Sequence, residues 1–295
     1  MKNVLLVDFH NLLFRVFFIK DVGGYTTNPE YSLWRYLVYE SIYKMLHNIG
    51  NVTEVVIAVD DKNSWRKSYF PRYKETRKKQ REEQLDIDWN RVFEEMNNLV
   101  SDLKHHMPFK VIRVRSAEAD DTIAVIAQEI GRNCVVSSND EDFLQLCSDR
   151  IKIWNPSKRE YSVCENPEKF VIKKCLTGQR KDDIFNVKMD NDWGLTEDTK
   201  GKRRPPLGEV TANKIMSKGY KKWLEDNDLE DNFHRNRVLM DFNYIPQTMR
   251  KRIMDVYDNY TFPPPSNIYQ FFKKYNMRGF LDNYTAVENK LMELY

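Results

Sequence analysis

NVLLVD, residues 3–8, sets four apolar residues between an asparagine and an aspartate, and the reading of this run decides the fold. Two further runs repeat it, EVVIAVD at 54–60 and NCVVSSND at 133–140, each closing on an aspartate. All three are rich in Val, Leu or Ile and have the length of a buried strand. FKVIRV at 109–114 is a shorter run of the same kind. Between them the apolar spacing predicts helices. Leu33, Tyr36, Leu37, Ile42, Tyr43 and Leu46 mark one over 31–49. Trp89, Val92, Phe93, Met96, Leu99, Val100 and Leu103 mark another over 88–104, with Asp88 as its cap, and a third runs from about 117 to 130. Strands alternating with helices imply an α/β fold with a mostly parallel sheet and flanking helices. Strand C-termini in such a sheet gather at one edge, where ligands bind. Asp8, Asp60 and Asp140 are therefore expected to converge.

Beyond about residue 165 the pattern turns helical. PEKFVIKKCLTG (167–178) reads as a helix ended by Gly178, and GEVTANKIMSKGYKKWL (208–224) as another. Residues 188–207, polar and rich in Lys, Arg, Asp and Pro, read as a loop between them. Residues 228–258 read as helical, FPPP at 262–265 as a break, and the tail as helix again. No internal repeat is found.

At 295 residues the chain has room for one large domain or two modest ones. With 41% apolar and 31% charged residues it is globular rather than disordered. No apolar run reaches the ~20 residues of a membrane-spanning helix. Asp8, His10 and Arg15 interrupt what otherwise looks like a signal peptide, and no small-residue cleavage site follows. Cysteines 134, 147, 164 and 175 are too irregularly spaced for a zinc site, which points to reduced thiols and a cytoplasmic location.

The net charge is +3, but its distribution matters more than its sum. Residues 66–81 carry +7 and residues 200–222 carry +7, leaving −11 on the other 256 residues. Two basic patches thus sit on an acidic body.

The acidic part is the sharper feature. Asp8, Asp60, Asp140 and Asp142 stand at or just past strand ends, and AEADDTIAVIA adds Glu118, Asp120 and Asp121 at a helix start. Taken singly, each has an ordinary reading as a turn residue, an N-cap or a partner of the helix macrodipole. Taken together they are too many like charges to stay ionised without cations. Hard divalent ions with oxygen ligands are the natural partners, and two such ions can drive displacement at a phosphodiester. None of the five histidines has a Ser or Cys partner motif, and no Walker or dinucleotide glycine motif occurs.

The first basic patch, RKSYFPRYKETRKKQR, interleaves its charges with Tyr69, Phe70 and Tyr73. Lys74, Arg77, Lys78 and Arg81 fall at i, i+3, i+4 and i+7, so a helix beyond Pro71 would put all four on one stripe. Such a stripe suits a phosphate backbone, although composition alone also fits a merely solvated face. Lys74 or Arg77 beside the carboxylates would stabilise charge developing on phosphate. The second patch includes Lys200, Lys202, Arg203, Arg204, Lys214 and Lys218, around the loop and the helix after it.

VDFHNLLFRVFF, AVDDKNSWRKSYFPRYKETR, AEADDTIAVIA and VVSSNDEDFLQL resemble, in that order, the motifs of the 5′-nuclease superfamily. That superfamily includes flap endonucleases and the 5′-nuclease domain of bacterial DNA polymerase I. The likeness runs over nearly the whole chain and is nearest to the T-even phage ribonuclease H branch, with KKCLTGQRKDDIFNVK, VLMDFNYIP and FPPPSNIYQFF included. The resemblance implies a PIN-like α/β core over 1–165 with a helical arch at about 62–88. It implies a helical duplex-binding region over 166–295 containing a helix–three-turn–helix element. It implies two Mg²⁺ ions, with Mn²⁺ as a substitute, held by Asp8, Asp60, Glu118, Asp120, Asp121, Asp140, Asp142 and Asp182, and K⁺ at the helix–three-turn–helix. Asp120, Lys74 and Arg77 are the expected catalytic residues. Nucleic-acid contacts are expected from Arg66, Arg72, Tyr73, Lys74, Arg77, Lys78 and Arg81, and from Lys188, Lys202, Arg203, Arg204, Lys214 and Lys218.

The implied activity is that of a two-metal phosphodiesterase, a 5′→3′ exonuclease and flap endonuclease with ribonuclease H activity, removing lagging-strand RNA primers in a phage-infected bacterial cell. The implied partners are DNA and RNA–DNA duplexes with 5′ ends, flaps or forks, a single-strand-binding protein and a sliding clamp, with no membrane and a monomeric chain. Gln179 stands where the family carries aspartate, which predicts a weaker second metal site, with Asp182 and Asp183 nearby. The long loop 188–207 replaces the family's compact glycine-rich turn. Two other classes stay open on the residues alone: a PIN-type endoribonuclease acting on single-stranded RNA, and a non-catalytic nucleic-acid-binding module. IYQFF (268–272) reads as core helix before it reads as a clamp-binding peptide.

Overall fold

Apolar runs without polar alternation belong in strands covered on both faces, and the three Asp-terminated runs occupy such strands. A computed structural model describes residues 2–19, 30–77, 83 and 87–295. Asn3–Asp8 (β1), Val52–Ala58 (β2), Lys110–Ile112 (β3), Asn133–Ser137 (β4), Ile151–Asn155 (β5) and Glu160–Ser162 (β6) form one sheet in the order β3-β2-β1-β4-β5-β6. Every pairing is parallel except the hairpin β5–β6. The helices in chain order are Phe9–Phe17 (α1), Tyr31–Ile49 (α2), Trp65–Tyr69 (α3), Trp89–His106 (α4), Ala119–Glu129 (α5), Pro167–Thr177 (α6) and Glu209–Ser217 (α7). Tyr220–Asp226 (α8), Glu230–Met240 (α9), Gln247–Asp258 (α10), Asn267–Lys274 (α11), Arg278–Leu281 (α12) and Tyr284–Met292 (α13) follow. No described helix is long and apolar enough to cross a membrane.

The strand order carries the functional consequence. From β1 the chain adds β2 and β3 on one side, then returns to add β4 on the other, so β1 and β4 flank the point where the winding reverses. Crevices at such switch points, outside the carboxyl ends of the strands, are where open α/β sheets bind ligands. Asp8 pairs with Ala58 and Val7 with Ser137, which sets Asp8, Asp60 and Asp140 beyond the ends of three adjacent strands.

The described chain divides into two compact units. The first comprises Met1–Asn63, Gln84–Val163 and Gln247–Tyr295, the second Ser64–Glu83 and Cys164–Pro246. This grouping differs from a chain-order division near residue 165 at two places, the segment 64–83 and the tail from 247. In the first unit Val4, Leu5, Leu6 and Val7 have no exposed surface. The tail closes the same core: the Tyr39 ring lies 5.5, 5.3 and 5.2 Å from those of Phe271, Phe272 and Phe280. Ile268, Phe271 and Phe272 are fully buried, so IYQFF lies in a core helix.

In the second unit Phe70, Tyr73, Val171, Cys175, Ile184, Phe185, Met189, Leu239 and Met240 form one core cluster, and α6, α7 and α8 enclose another through Ile172, Leu176, Ala212, Ile215 and Leu224. Arg235 and Asn236 fasten the loop beside them. Asn236 Nδ2 donates to Cys175 O and Phe185 O, both at 2.7 Å, and Arg235 Nη1 to Met189 O at 2.8 Å.

Two expectations need correcting, and one element is new. The helix read over 208–224 is two helices, α7 and α8, because Gly219 at φ 93° takes a left-handed conformation that breaks the run. The antiparallel hairpin β5–β6 adds an edge that the apolar runs do not announce. Lys74 is left-handed at φ 54° in a turn ahead of residue 76, so it does not join Arg77 on a helical stripe, and Lys78 and Arg81 lie outside the described residues.

Candidate active site

In the first unit the acidic residues are set by strand ends and helix starts. Asp8 caps α1: its Oδ1 accepts from Asn11 N at 3.0 Å, and its Oδ2 accepts from Ser138 Oγ at 2.9 Å. Ser138 Oγ in turn accepts from Asp140 N at 3.0 Å, so one hydroxyl links the ends of β1 and β4. Asn11 Oδ1 accepts from Asn139 N at 3.2 Å and ties the same two loops. Asp140 caps the short 3₁₀ turn Glu141–Leu146, accepting from Asp142 N at 2.9 Å. Asp60 Oδ1 accepts from Ala119 N at 2.6 Å, which anchors the end of β2 to the first turn of α5.

Glu118 and Asp121 form a capping box at the start of α5, with Asp121 Oδ2 accepting from Glu118 N at 3.0 Å. Asp121 is fully buried while Asp120, one residue earlier, is partly exposed. Its burial and its bond to Glu118 N give Asp121 a structural part at the start of α5.

No three His, Cys, Asp or Glu side chains among the described residues stand together as a ready metal-ligating group. Asp8, Asp60 and Asp140 each accept from a backbone amide instead, and what couples them is charge. Burial, then the charge of Asp60, pushes the Asp8 carboxyl up to about 7, with Asp140 adding to the rise against the bonds from Asn11 and Ser138. Being raised in the folded protein, Asp8 contributes stability that is full below its ordinary value of 3.8 and lost as pH climbs through about 7. In chelated buffer the thermal midpoint is therefore expected to fall over this window. Asp8→Asn, which keeps a good cap, flattens the fall; a parallel slope in the variant would refute the assignment.

In the second unit the chain leaves α6 through Gly178 and makes a tight loop in which Gln179 and Ile184 exchange backbone bonds of 2.9 and 3.0 Å. This loop presents Asp182 and Asp183 to the segment YKETR. Asp183 Oδ2 accepts from Thr76 N and Thr76 Oγ1, both at 2.9 Å. Lys74 N donates to Asp182 O at 2.9 Å, Lys74 Nζ stands 4.0 Å from Asp182 Oδ1, and Arg77 Nη2 is paired with the same oxygen. The two expected catalytic cations and the expected ligand Asp182 are thus brought together, with Lys74 held in a strained left-handed backbone.

Three of the residues expected at nucleic acid have a part in the fold. Arg66 is 3% exposed, donates from Nε to Leu239 O at 2.8 Å and stacks over Trp65. Tyr73 belongs to the core cluster. Arg72 donates to Trp193 O at 2.7 Å with its guanidinium 4.7 Å over the Phe185 ring. Lys188, Lys202, Arg203, Arg204, Lys214 and Lys218 are all exposed. The residues that sequence reasoning missed are His10, Asn11, Ser138 and Thr76, each a short polar neighbour of a singled-out acid or cation.

A family model described as 5′-3′ exonuclease, N-terminal resolvase-like domain, matches residues 3–175, and one described as T4 RNase H, C terminal, matches residues 165–285. Ribonuclease H of Enterobacteria phage T4 is 29% identical over 285 residues, 92% of each chain. A 5′-3′ exonuclease of Buchnera aphidicola is 25% identical over 199 residues, 63% of this chain and 66% of the relative. Among solved structures, the bacteriophage T5 D15 flap endonuclease in complex with DNA and metal ions superposes with a TM-score of 0.64 at 19% identity, covering 88% of this chain and 100% of that one. A T5 5′-exonuclease with bound zinc gives 0.62 at 19% identity over 87% and 99% of the two chains.

Proposed function

The chain belongs to the 5′-3′ exonuclease family, whose N-terminal domain spans residues 3–175, and we propose that it is a divalent-metal-dependent nuclease acting at 5′ ends and flaps on duplex DNA. The observation that carries this reading is the set of carboxylates beyond three adjacent strand ends, with Asp8 opposed by the charges of Asp60 and Asp140. The donor set fits a hard divalent ion, because all its donors are carboxylate oxygens and a cation relieves their repulsion.

Asp8, Asp60, Glu118, Asp120, Asp140 and Asp142 of the first unit are the residues assigned to hold Mg²⁺, or Mn²⁺ in its place. When bound, such ions supply Lewis acidity toward phosphate oxygens and make water more acidic. The chain's own part is to orient. Ser138 and Asn11 fix both oxygens of Asp8, Ala119 N fixes Asp60, and the 3₁₀ turn fixes Asp140. Lys74 and Arg77 are assigned to the substrate phosphate, where positive charge stabilises the charge that develops during displacement. In that role they exchange Asp182 for phosphate. Lys188, Lys202, Arg203, Arg204, Lys214 and Lys218 are assigned to the duplex backbone, and each contact made steepens the salt dependence of binding. RNA primers annealed to DNA are the proposed natural substrate.

Digestion of 5′-labelled flap DNA and of a 5′-RNA-primed duplex tests the reading. Short 5′ products are expected with Mg²⁺ and none with chelator. Internal cutting of single-stranded RNA without a 5′-end requirement would favour a PIN-type endoribonuclease. Metal-independent binding with no hydrolysis would favour a non-catalytic module.

A further inference from the structure

A histidine stands at the end of β2 beside Asp60. His10 is the second residue of α1, and its side chain is 20% exposed. Its Nδ1 lies 3.2 Å from Asp60 N and 3.3 Å from Asp60 Oδ2. A backbone amide can only donate, so in that bond Nδ1 is the acceptor. The bond spans 50 residues of sequence and joins the start of α1 to the corner that follows β2. On its other side Asp60 is anchored through Oδ1 to Ala119 N at 2.6 Å. The corner bearing Asp60 is therefore held from two directions, by α5 through the carboxylate and by His10 through the main chain. The ring has packing of its own against Phe14, 6.4 Å away between centroids, so the imidazole is supported rather than dangling.

We infer that His10 is a positioning residue for Asp60, fixing the corner after β2 so that the carboxylate cluster takes a divalent cation, with no direct part in gripping DNA. This rests on the reading of Asp60 as a ligand given above. Partners of ligating side chains commonly change metal affinity or activity by about 10–100-fold when removed, and an effect of that size is expected here.

Three substitutions separate the functions of the ring. Asn sets its side-chain oxygen close to where Nδ1 stands, Gln sets its amide nearer to Nε2, and Ala supplies neither. Titration calorimetry with Mg²⁺ alone is expected to show about 10-fold or greater weakening for His10→Ala and His10→Gln, and near wild-type affinity for His10→Asn. Steady-state cleavage of the flap substrate is expected to show kcat of His10→Ala recovering as Mg²⁺ is raised, with KM for DNA within about twofold of wild type, since no DNA contact is removed. Thermal midpoints monitor folding throughout. Unchanged Mg²⁺ affinity in His10→Ala, with Asp60→Asn clearly weakened, overturns the role of His10 and leaves the metal reading standing. Equal losses of stability in Ala and Asn without any change in Mg²⁺ affinity also overturn it, as they would mark a merely structural ring. Wild-type Mg²⁺ affinity in Asp60→Asn overturns both.

Discussion

Asp120→Asn lowers cleavage of a 5′-flapped duplex by roughly 10²–10³-fold or more, the scale lost when one electrostatic group is removed from a transition state. It does so while leaving DNA affinity within about threefold and the thermal midpoint unchanged. The expectation follows from the division of labour between two adjacent aspartates. Asp121 is fully buried and closes the capping box with Glu118, so the start of α5 depends on it. Asp120 is partly exposed in the same turn and is not the residue that caps it. Replacing its carboxylate by an amide preserves shape and removes a negative charge, which weakens the cluster's hold on a cation and leaves the basic surface of the other unit unaltered. Asp121→Ala is the contrasting variant, expected to cost about 1 kcal/mol of stability through the lost bond to Glu118 N. Wild-type turnover by Asp120→Asn would sink the assignment of the carboxylates.

Gly178→Ala destabilises the second unit by roughly 2–5 kcal/mol, the combined scale of a left-handed non-glycine residue and an overpacked contact. Gly178 has φ 69°, and an added Cβ would lie 2.5 Å from Phe185 C and O and 2.6 Å from Asn186 N. Those atoms are backbone, so no side-chain rotation relieves the clash. The glycine opens the loop that carries Asp182 and Asp183, and cleavage is expected to fall with stability. Gly50→Ala provides the comparison, since Gly50 has φ 67° with nothing within 4 Å and meets only the conformational cost. Urea unfolding of the two variants separates the terms. A Gly178→Ala midpoint no lower than that of Gly50→Ala would refute the close approach.

Much of this architecture was readable because one signal, an apolar run ending in aspartate, reports both a buried strand and its functional end. The runs closing at Asp8, Asp60 and Asp140 are adjacent in the sheet, as parallel winding requires. The helices over 31–49 and 88–104 correspond closely to α2 and α4 because their apolar periodicity agrees with the buried faces, and Asp88 caps the second, accepting from Arg91 N at 3.1 Å. What was not readable depends on partners distant in sequence. His10 looked isolated because its partner is 50 residues away. Asp120 and Asp121 are indistinguishable in AEADD until the helix turns one inward and the other out. Arg66 and Tyr73 sit in a stretch whose composition suggests a polyanion surface, yet Leu239 O and the second core claim them. β5–β6 carries no such signal because its strands are only five and three residues long, with charges among them.

The chain passes between the two units four times, at residues 63/64, 83/84, 163/164 and 246/247. This has a consequence for the order of events during synthesis. A ribosome releases every segment of the second unit before it reaches Phe271, Phe272 and Phe280, three of the rings around Tyr39. The unit that begins later in the chain thus has its whole sequence available first. The sheet bearing the carboxylates, begun at residue 3, waits for Phe271, Phe272 and Phe280 to complete its core.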